Sequence, residues 1–312
     1  MPRLSLLLTL AALAAAQAQT GDAVFRSDTR LVVCNTAVVD KDGHLVTNLK
    51  QQAFTVYENG VRQQIAVFKR EDVPVSMGLI VDNSGSMRAK RAQVEAAAMA
   101  LVKDSNPGDE VFIVNFNDDV YLDNPPGKPF TSDIQEMEAA LRRIDSSGGT
   151  AMRDAIRVSI DWLKKAHRDK KVLVVVTDGN DNFSGISLEE LVKLAQQNEV
   201  LIYSVGLLTE ESRSDARDAR KALDALAGAT GGETYFPKEL SEVDPIAHLV
   251  ARDIRSQYAI EYTPLNAAMD GSYRKIKITV NAPGRPTVRT RSGYYATPER
   301  PAAPGGASFR QP

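Results

Sequence analysis

The chain has 312 residues, 43% hydrophobic and 25% charged, with a formal net charge of −2. That length suits about two domains, and the composition is that of a globular protein. With an isoelectric point near 6.0 there is no positive field for nucleic acid and no nucleic-acid module, which argues against a polyanion partner.

Residues 1–18 read as a leader. Arg3 is the positive start, 4–16 is a short apolar run, and Ala16-Gln17-Ala18 is a cleavage signal, so export with cleavage near Ala18 is expected. The run is too short to span a bilayer comfortably, although an uncleaved anchor is the alternative. No later stretch of the sequence has the length and apolarity of a membrane span. The single cysteine, Cys34, excludes an intramolecular disulfide. It lies in the apolar run Leu31-Val32-Val33-Cys34, which predicts burial.

Residues 24–73 have the periodicity of strands, over 31–39, 54–57 and 61–68, with Asn59-Gly60 as a hairpin turn. From 74 to 256 short apolar strands alternate with longer helical patterns. Strands are expected at 77–81, 111–114, 172–176, 201–205 and 234–236. Helices are expected at 88–103, 132–144, 151–166, 188–197, 216–227 (stopped by Gly228) and 243–256. The unbroken run at 172–176 is typical of a strand buried on both faces. Residues 257–296 return to strands at 258–262, 273–280 and 288–295, and the Pro/Gly/Ala-rich tail 297–312 is expected to be disordered.

Alternating strands and helices imply an α/β domain with a doubly wound, mostly parallel sheet. Each flanking segment is meagre for a sheet of its own, but together they supply about seven strands, enough for a small sandwich. The α/β domain at 74–256 is therefore expected to be inserted in one discontinuous β-sandwich built from 24–73 and 257–296. The alternative is two separate β-appendages.

Three short sequences carry chemistry. Asp82-Asn83-Ser84-Gly85-Ser86 follows the strand at 77–81, Ser147-Gly148-Gly149-Thr150 precedes the helix at 151–166, and Thr177-Asp178-Gly179 follows the strand at 172–176. Ligands of open α/β sheets bind outside the carboxyl ends of the strands, at a switch point. Asp82, Ser84, Ser86, Thr150 and Asp178 offer only oxygen donors, which suits a hard cation such as Mg²⁺ and disfavours zinc or copper. Singly, each has an ordinary explanation: Ser84, Ser86 and Thr150 as helix caps, Asp178-Gly179 as a turn. Together, at these strand ends, they favour a metal site. Arg88, Lys90 and Arg91 form a small basic run beside it, ordinarily a solvated face, which would otherwise steer an acidic ligand.

This pattern resembles the metal-ion-dependent adhesion site of von Willebrand factor A domains: D-x-S-x-S, then a threonine, then the aspartate of a T-D-G loop. Asp82, Ser84, Ser86, Thr150 and Asp178 match it position by position. The resemblance covers about 74–256 and implies Mg²⁺ or Mn²⁺ bridging to an acidic group on a partner. The flanks Val39-Asp40-Lys41-Asp42-Gly43, Phe54-Thr55-Val56-Tyr57-Glu58-Asn59-Gly60 and Arg291-Ser292-Gly293-Tyr294-Tyr295 resemble exported bacterial proteins called VWFA-related.

The leading expectation is an exported, periplasmic or secreted, non-enzymatic module of the cell-adhesion type. It binds a protein that presents an Asp or Glu carboxylate to the metal. A metal-assisted hydrolase is a second reading, but the only histidines, His44, His167 and His248, are not expected at the crevice, so no nucleophile–base pair is evident. A scaffold component with no metal-dependent ligand is the third.

Overall fold

The computed structural model describes residues 31–70, 72–142 and 146–298. The expected leader and all but the first two residues of the expected tail lie outside them.

Four strands come first: β1 (Val32–Val39), β2 (Phe54–Glu58), β3 (Val61–Gln63) and β4 (Ile65–Lys69). Asn59 and Gly60 join β2 to β3 with φ of 48° and 84°, the left-handed pair that a two-residue hairpin with the twist of its strands requires. The single strand expected over 61–68 is two. β3 pairs with β2, whereas β4, beyond Gln64, pairs in another sheet with a strand near the C-terminus. Alternation runs through Gln64 without a turn residue, so periodicity alone does not mark the crossing.

The α/β domain begins with β5 (Val75–Asp82). A 3-10 turn (Gly85–Ala89) leads into α1 (Arg91–Lys103). There follow β6 (Glu110–Phe116), β7 (Val120–Leu122), α2 (Ile134–Leu141), α3 (Met152–Trp162), β8 (Lys170–Thr177) and α4 (Leu188–Gln197). The domain closes with β9 (Val200–Gly206), α5 (Arg213–Thr230), β10 (Thr234–Tyr235) and α6 (Val243–Ser256). The sheet order is β10-β9-β8-β5-β6-β7, parallel except for the edge strand β7. Met77, Leu79 and Val81 of β5 pack on one side with α1, α2 and α6. Ile80 packs on the other with α3, α4 and α5. Helices on both faces leave β5 no solvated side, hence its continuous apolar run. α5 outlasts the expected stop at Gly228. It continues to Thr230, whose hydroxyl donates to Leu226 O at 2.9 Å, and Gly231, at φ 92°, is the left-handed cap.

After α6 come β11 (Tyr258–Tyr262), β12 (Tyr273–Val280), β13 (Thr287–Arg289) and β14 (Gly293–Tyr295). Two antiparallel four-stranded sheets result, β13-β1-β11-β4 and β14-β12-β2-β3. Each takes strands from both ends of the described chain, so the α/β domain is an insertion in a discontinuous sandwich. Val32, Cys34, Val56, Tyr258, Ile260, Ile276 and Tyr294 share its core. Burial pushes the Cys34 thiol up to about 12, which suits an inert core residue. The strand expected over 288–295 divides between the two sheets. At the break, Arg291 donates to Gln196 O at 2.9 Å and to Glu199 Oε1 at 3.1 Å, tying the sandwich to the end of α4. Among the described residues, no helix is long and apolar enough to cross a membrane.

Candidate functional site

The sheet order sets the site. β5 enters first, β6 lies on one side of it and β8 on the other, so the connections diverge between β5 and β8 and open a crevice at their carboxyl ends. Asp82 is the last residue of β5, and Asp178 directly follows β8. Each is 1% exposed.

Capping does not explain Ser84 or Thr150. Ser84 precedes the 3-10 turn but makes no side-chain cap bond. Thr150 caps nothing, since α3 starts at Met152 after an uncapped Ala151. The hydroxyls are turned elsewhere. Ser84 Oγ lies 3.1 Å from Ser86 Oγ, and Ser86 Oγ donates to Asp178 Oδ1 at 2.8 Å. Asp82 Oδ1 accepts the Ser84 N–H at 2.8 Å and its Oδ2 accepts the Thr177 hydroxyl at 2.6 Å. Asp82, Ser84, Ser86 and Asp178 thus form one connected set although 92 residues separate Ser86 from Asp178. Ser86 is its exposed member.

Thr150 is brought in through its loop. Gly85 N–H donates to Gly148 O and Ser147 N–H to Asn83 O, while Asn182 Oδ1 accepts the Thr150 N–H at 3.0 Å. A Cβ on Gly179 would sit 3.9 Å from Thr150 Oγ1, so that hydroxyl faces the Asp178-Gly179 loop.

Burial is the largest influence on the Asp82 carboxyl and pushes it up to about 6; hydrogen bonds from Thr177 and Ser84 work against this, and the Asp178 charge adds to it. Two nearly inaccessible carboxylates beside three hydroxyls form an all-oxygen, net-negative donor set, which fits a hard divalent cation.

Several residues at the site are not evident from the sequence. Lys90, expected on a solvated basic face, is 4% exposed and donates from Nζ to Asp178 Oδ2 at 2.7 Å. Its neighbours diverge from it: Arg88 donates to Ser146 O and Arg91 to Glu95, so no common basic face forms. The available signal was a lysine at the start of a helix, where the dipole disfavours a cation. Glu211 stands at the rim, its carboxyl raised by burial and then by Asp178 and Asp215, with Lys90 opposing. Asp118 Oδ1 accepts the Gly149 N–H at 2.5 Å. Phe183, 61% exposed, donates its N–H to Thr150 O, which sets an aromatic ring beside the loops.

The histidines lie away from the crevice. His44 is exposed, next to Asp40 and Asp42 in the turn after β1. His167 sits on Glu110 ahead of β8, at the opposite edge of the sheet. His248, on α6, pairs with Asp104, which follows the far end of α1. Asp133 caps α2, and Asp154 pairs with Arg157.

Residues 77–180 match the family described as von Willebrand factor type A domain. Over those residues the central α/β domain is similar to that family. Over 160 residues, 49% of this chain, the sequence is 29% identical to an uncharacterised protein of Borreliella burgdorferi, covering 46% of that protein. Over 146 residues, 43% of this chain, it is 21% identical to the inter-alpha-trypsin inhibitor heavy chain H4 of Bos taurus, covering 16% of it. The matched stretches thus span less than half of either relative. Among solved structures, proximal thread matrix protein 1 from the mussel byssus, there with a zinc-occupied MIDAS motif, superposes with a TM-score of 0.52. It is 16% identical and covers 63% of this chain and 49% of that one. At that identity the likeness concerns the fold alone: a mostly parallel sheet with helices on both faces.

Proposed function

We propose that this is an exported protein whose A domain holds a divalent ion, Mg²⁺ or Mn²⁺, and uses it to bind the carboxylate of a partner protein. The observation that carries the reading is the connected set Asp82–Ser84–Ser86–Asp178, with Ser86 exposed at its mouth. Asp82, Ser84, Ser86, Thr150 and Asp178 would hold the ion, which supplies Lewis acidity toward an incoming carboxylate. The chain's own part is to fix the hydroxyls beside the two aspartates and to stitch the Thr150 loop to Asn83, Gly85 and Asn182. The division into an A domain at 74–256 and a sandwich at 24–73 with 257–296 belongs to the same reading. The chain enters β5 at its amino end, and Arg291 meets the end of α4 just ahead of β9. The sandwich therefore attaches at the edge opposite the crevice and leaves the crevice open to a partner. No histidine of the described residues is placed to serve a serine as base, which favours binding over hydrolysis.

The test is isothermal titration of Mg²⁺ and Mn²⁺ into the chelator-stripped full chain. Saturable binding at one site, lost in Asp82→Ala with the thermal melt still cooperative, is the expected result. Absence of binding, or equal binding by Asp82→Ala, would falsify the reading.

A further inference from the structure

Lys90 is in an unfavourable place for a cation. It directly precedes α1, at the positive end of the helix dipole, and its side chain is only 5% exposed. A buried ammonium is costly unless paired. Its Nζ donates to Asp178 Oδ2 at 2.7 Å, and the Asp178 side chain is wholly buried. The pair lies inside the crevice, against the same carboxylate that accepts the Ser86 hydroxyl.

The four carboxylate oxygens are served unequally. Asp82 accepts a backbone N–H and a threonine hydroxyl, both neutral. Asp178 accepts a serine hydroxyl and the ammonium. The ammonium on Asp178 offsets part of the negative charge of the two buried carboxylates, so a divalent ion is held less strongly than by two aspartates alone and keeps more of its own charge. A carboxylate from outside would offset the charge that remains. In a site of low dielectric such a residual charge is felt strongly.

Taking the metal reading proposed above as its basis, we infer that Lys90 is a built-in counter-cation of the crevice: it weakens the hold on the divalent ion alone and so makes ion binding and binding of an external carboxylate mutually dependent. The dependence runs both ways, since coupling between two ligands is reciprocal. Without the ammonium, the two aspartates would hold the ion on their own and no longer favour an external acid. Lys90 touches Asp178 and acts through it, as a positioning and charge-setting residue.

The experiment compares full-length wild type, Lys90→Met and Lys90→Arg by titration calorimetry with Mn²⁺, with and without acetate at constant ionic strength. Wild type should bind Mn²⁺ several-fold more tightly when acetate is present. Lys90→Met, which keeps the apolar stem and drops the charge, should bind Mn²⁺ at least tenfold more tightly without acetate and lose the acetate effect. Lys90→Arg should keep the wild-type behaviour. Melting curves supply a second readout: metal-free Lys90→Met should melt below wild type, and saturating Mn²⁺ should raise its melting temperature by more than it raises that of wild type. A folded Lys90→Met that binds Mn²⁺ no more tightly than wild type, or keeps the acetate effect, overturns the role of Lys90 and leaves the metal reading standing. Failure of wild type and Lys90→Met alike to bind Mn²⁺ overturns both.

Discussion

Asp82 is held at a cost to the metal-free fold. Its carboxyl is raised to about 6 mainly by burial, against about 3.9 for an unperturbed aspartate. Between about pH 4 and pH 6 the unfolded chain has released this proton while the folded chain still keeps it. Stability from this group therefore falls as pH rises through that window and levels off above about 6. Replacing Asp82 by Asn removes the buried charge and retains an acceptor for the Ser84 N–H. The metal-free Asp82→Asn protein should be more stable than wild type by about 1–3 kcal/mol at pH 7, with the difference vanishing near pH 4. Urea melts in chelator at the two pH values check this, and equal stabilities at pH 7 would contradict it. The oxygen donors of the candidate site were legible because each stands where a strand ends or a helix begins, and side-chain chemistry narrows the ligand class. Lys90 was not, because a run of Arg88, Lys90 and Arg91 carries no sign of which member folds inward. Only the fold sets its ammonium on an aspartate that lies 88 positions away.

Among the elements, the parallel strands were the easiest to read, since strands covered on both faces need continuous apolar residues. The sandwich strands were harder. The runs over 61–68 and 288–295 each change sheet midway, and a change of sheet preserves alternation. What joins the resulting pieces is polar. Glu58, at the end of β2, accepts hydroxyls from Tyr262 of β11 at 2.8 Å and Tyr294 of β14 at 2.9 Å, and Arg274 of β12 donates to it at 3.2 Å. Arg274 also donates to Asn266 O and Ala268 O in the loop before β12. Both charged residues are buried, Arg274 at 1% exposure. Removing one member of a buried pair strands the other charge, so Glu58→Ala should cost about 3–5 kcal/mol. Glu58→Gln keeps an acceptor for the tyrosines and should cost less. Chemical denaturation followed by tyrosine fluorescence measures both, and a Glu58→Ala cost under 1 kcal/mol, in the range of an exposed pair, would mean that the hub is dispensable.

Across the whole molecule the sandwich depends on segments separated by the entire α/β domain. Among the described residues, the strand partners of β1 are β11 and β13, that of β4 is β11, and those of β2 are β12 and β3. A chain stopped at residue 256 loses every one of these pairings except the β2–β3 hairpin, and a lone hairpin is marginal in water. It would also expose Val32, Cys34, Val56 and other residues of the shared core. The α/β domain by contrast keeps all six strands of its sheet and both helical layers within 75–256. A fragment of 74–256 should therefore unfold in one cooperative step and keep the Mn²⁺ response of the full chain. A fragment of 31–256 should keep that response too, but bind a hydrophobic dye and lose residues 31–70 to brief protease treatment, whereas the full chain resists. Protease resistance of 31–70 in the shorter fragment would show that the first four strands stand by themselves as an appendage and that the sandwich is not one cooperative body.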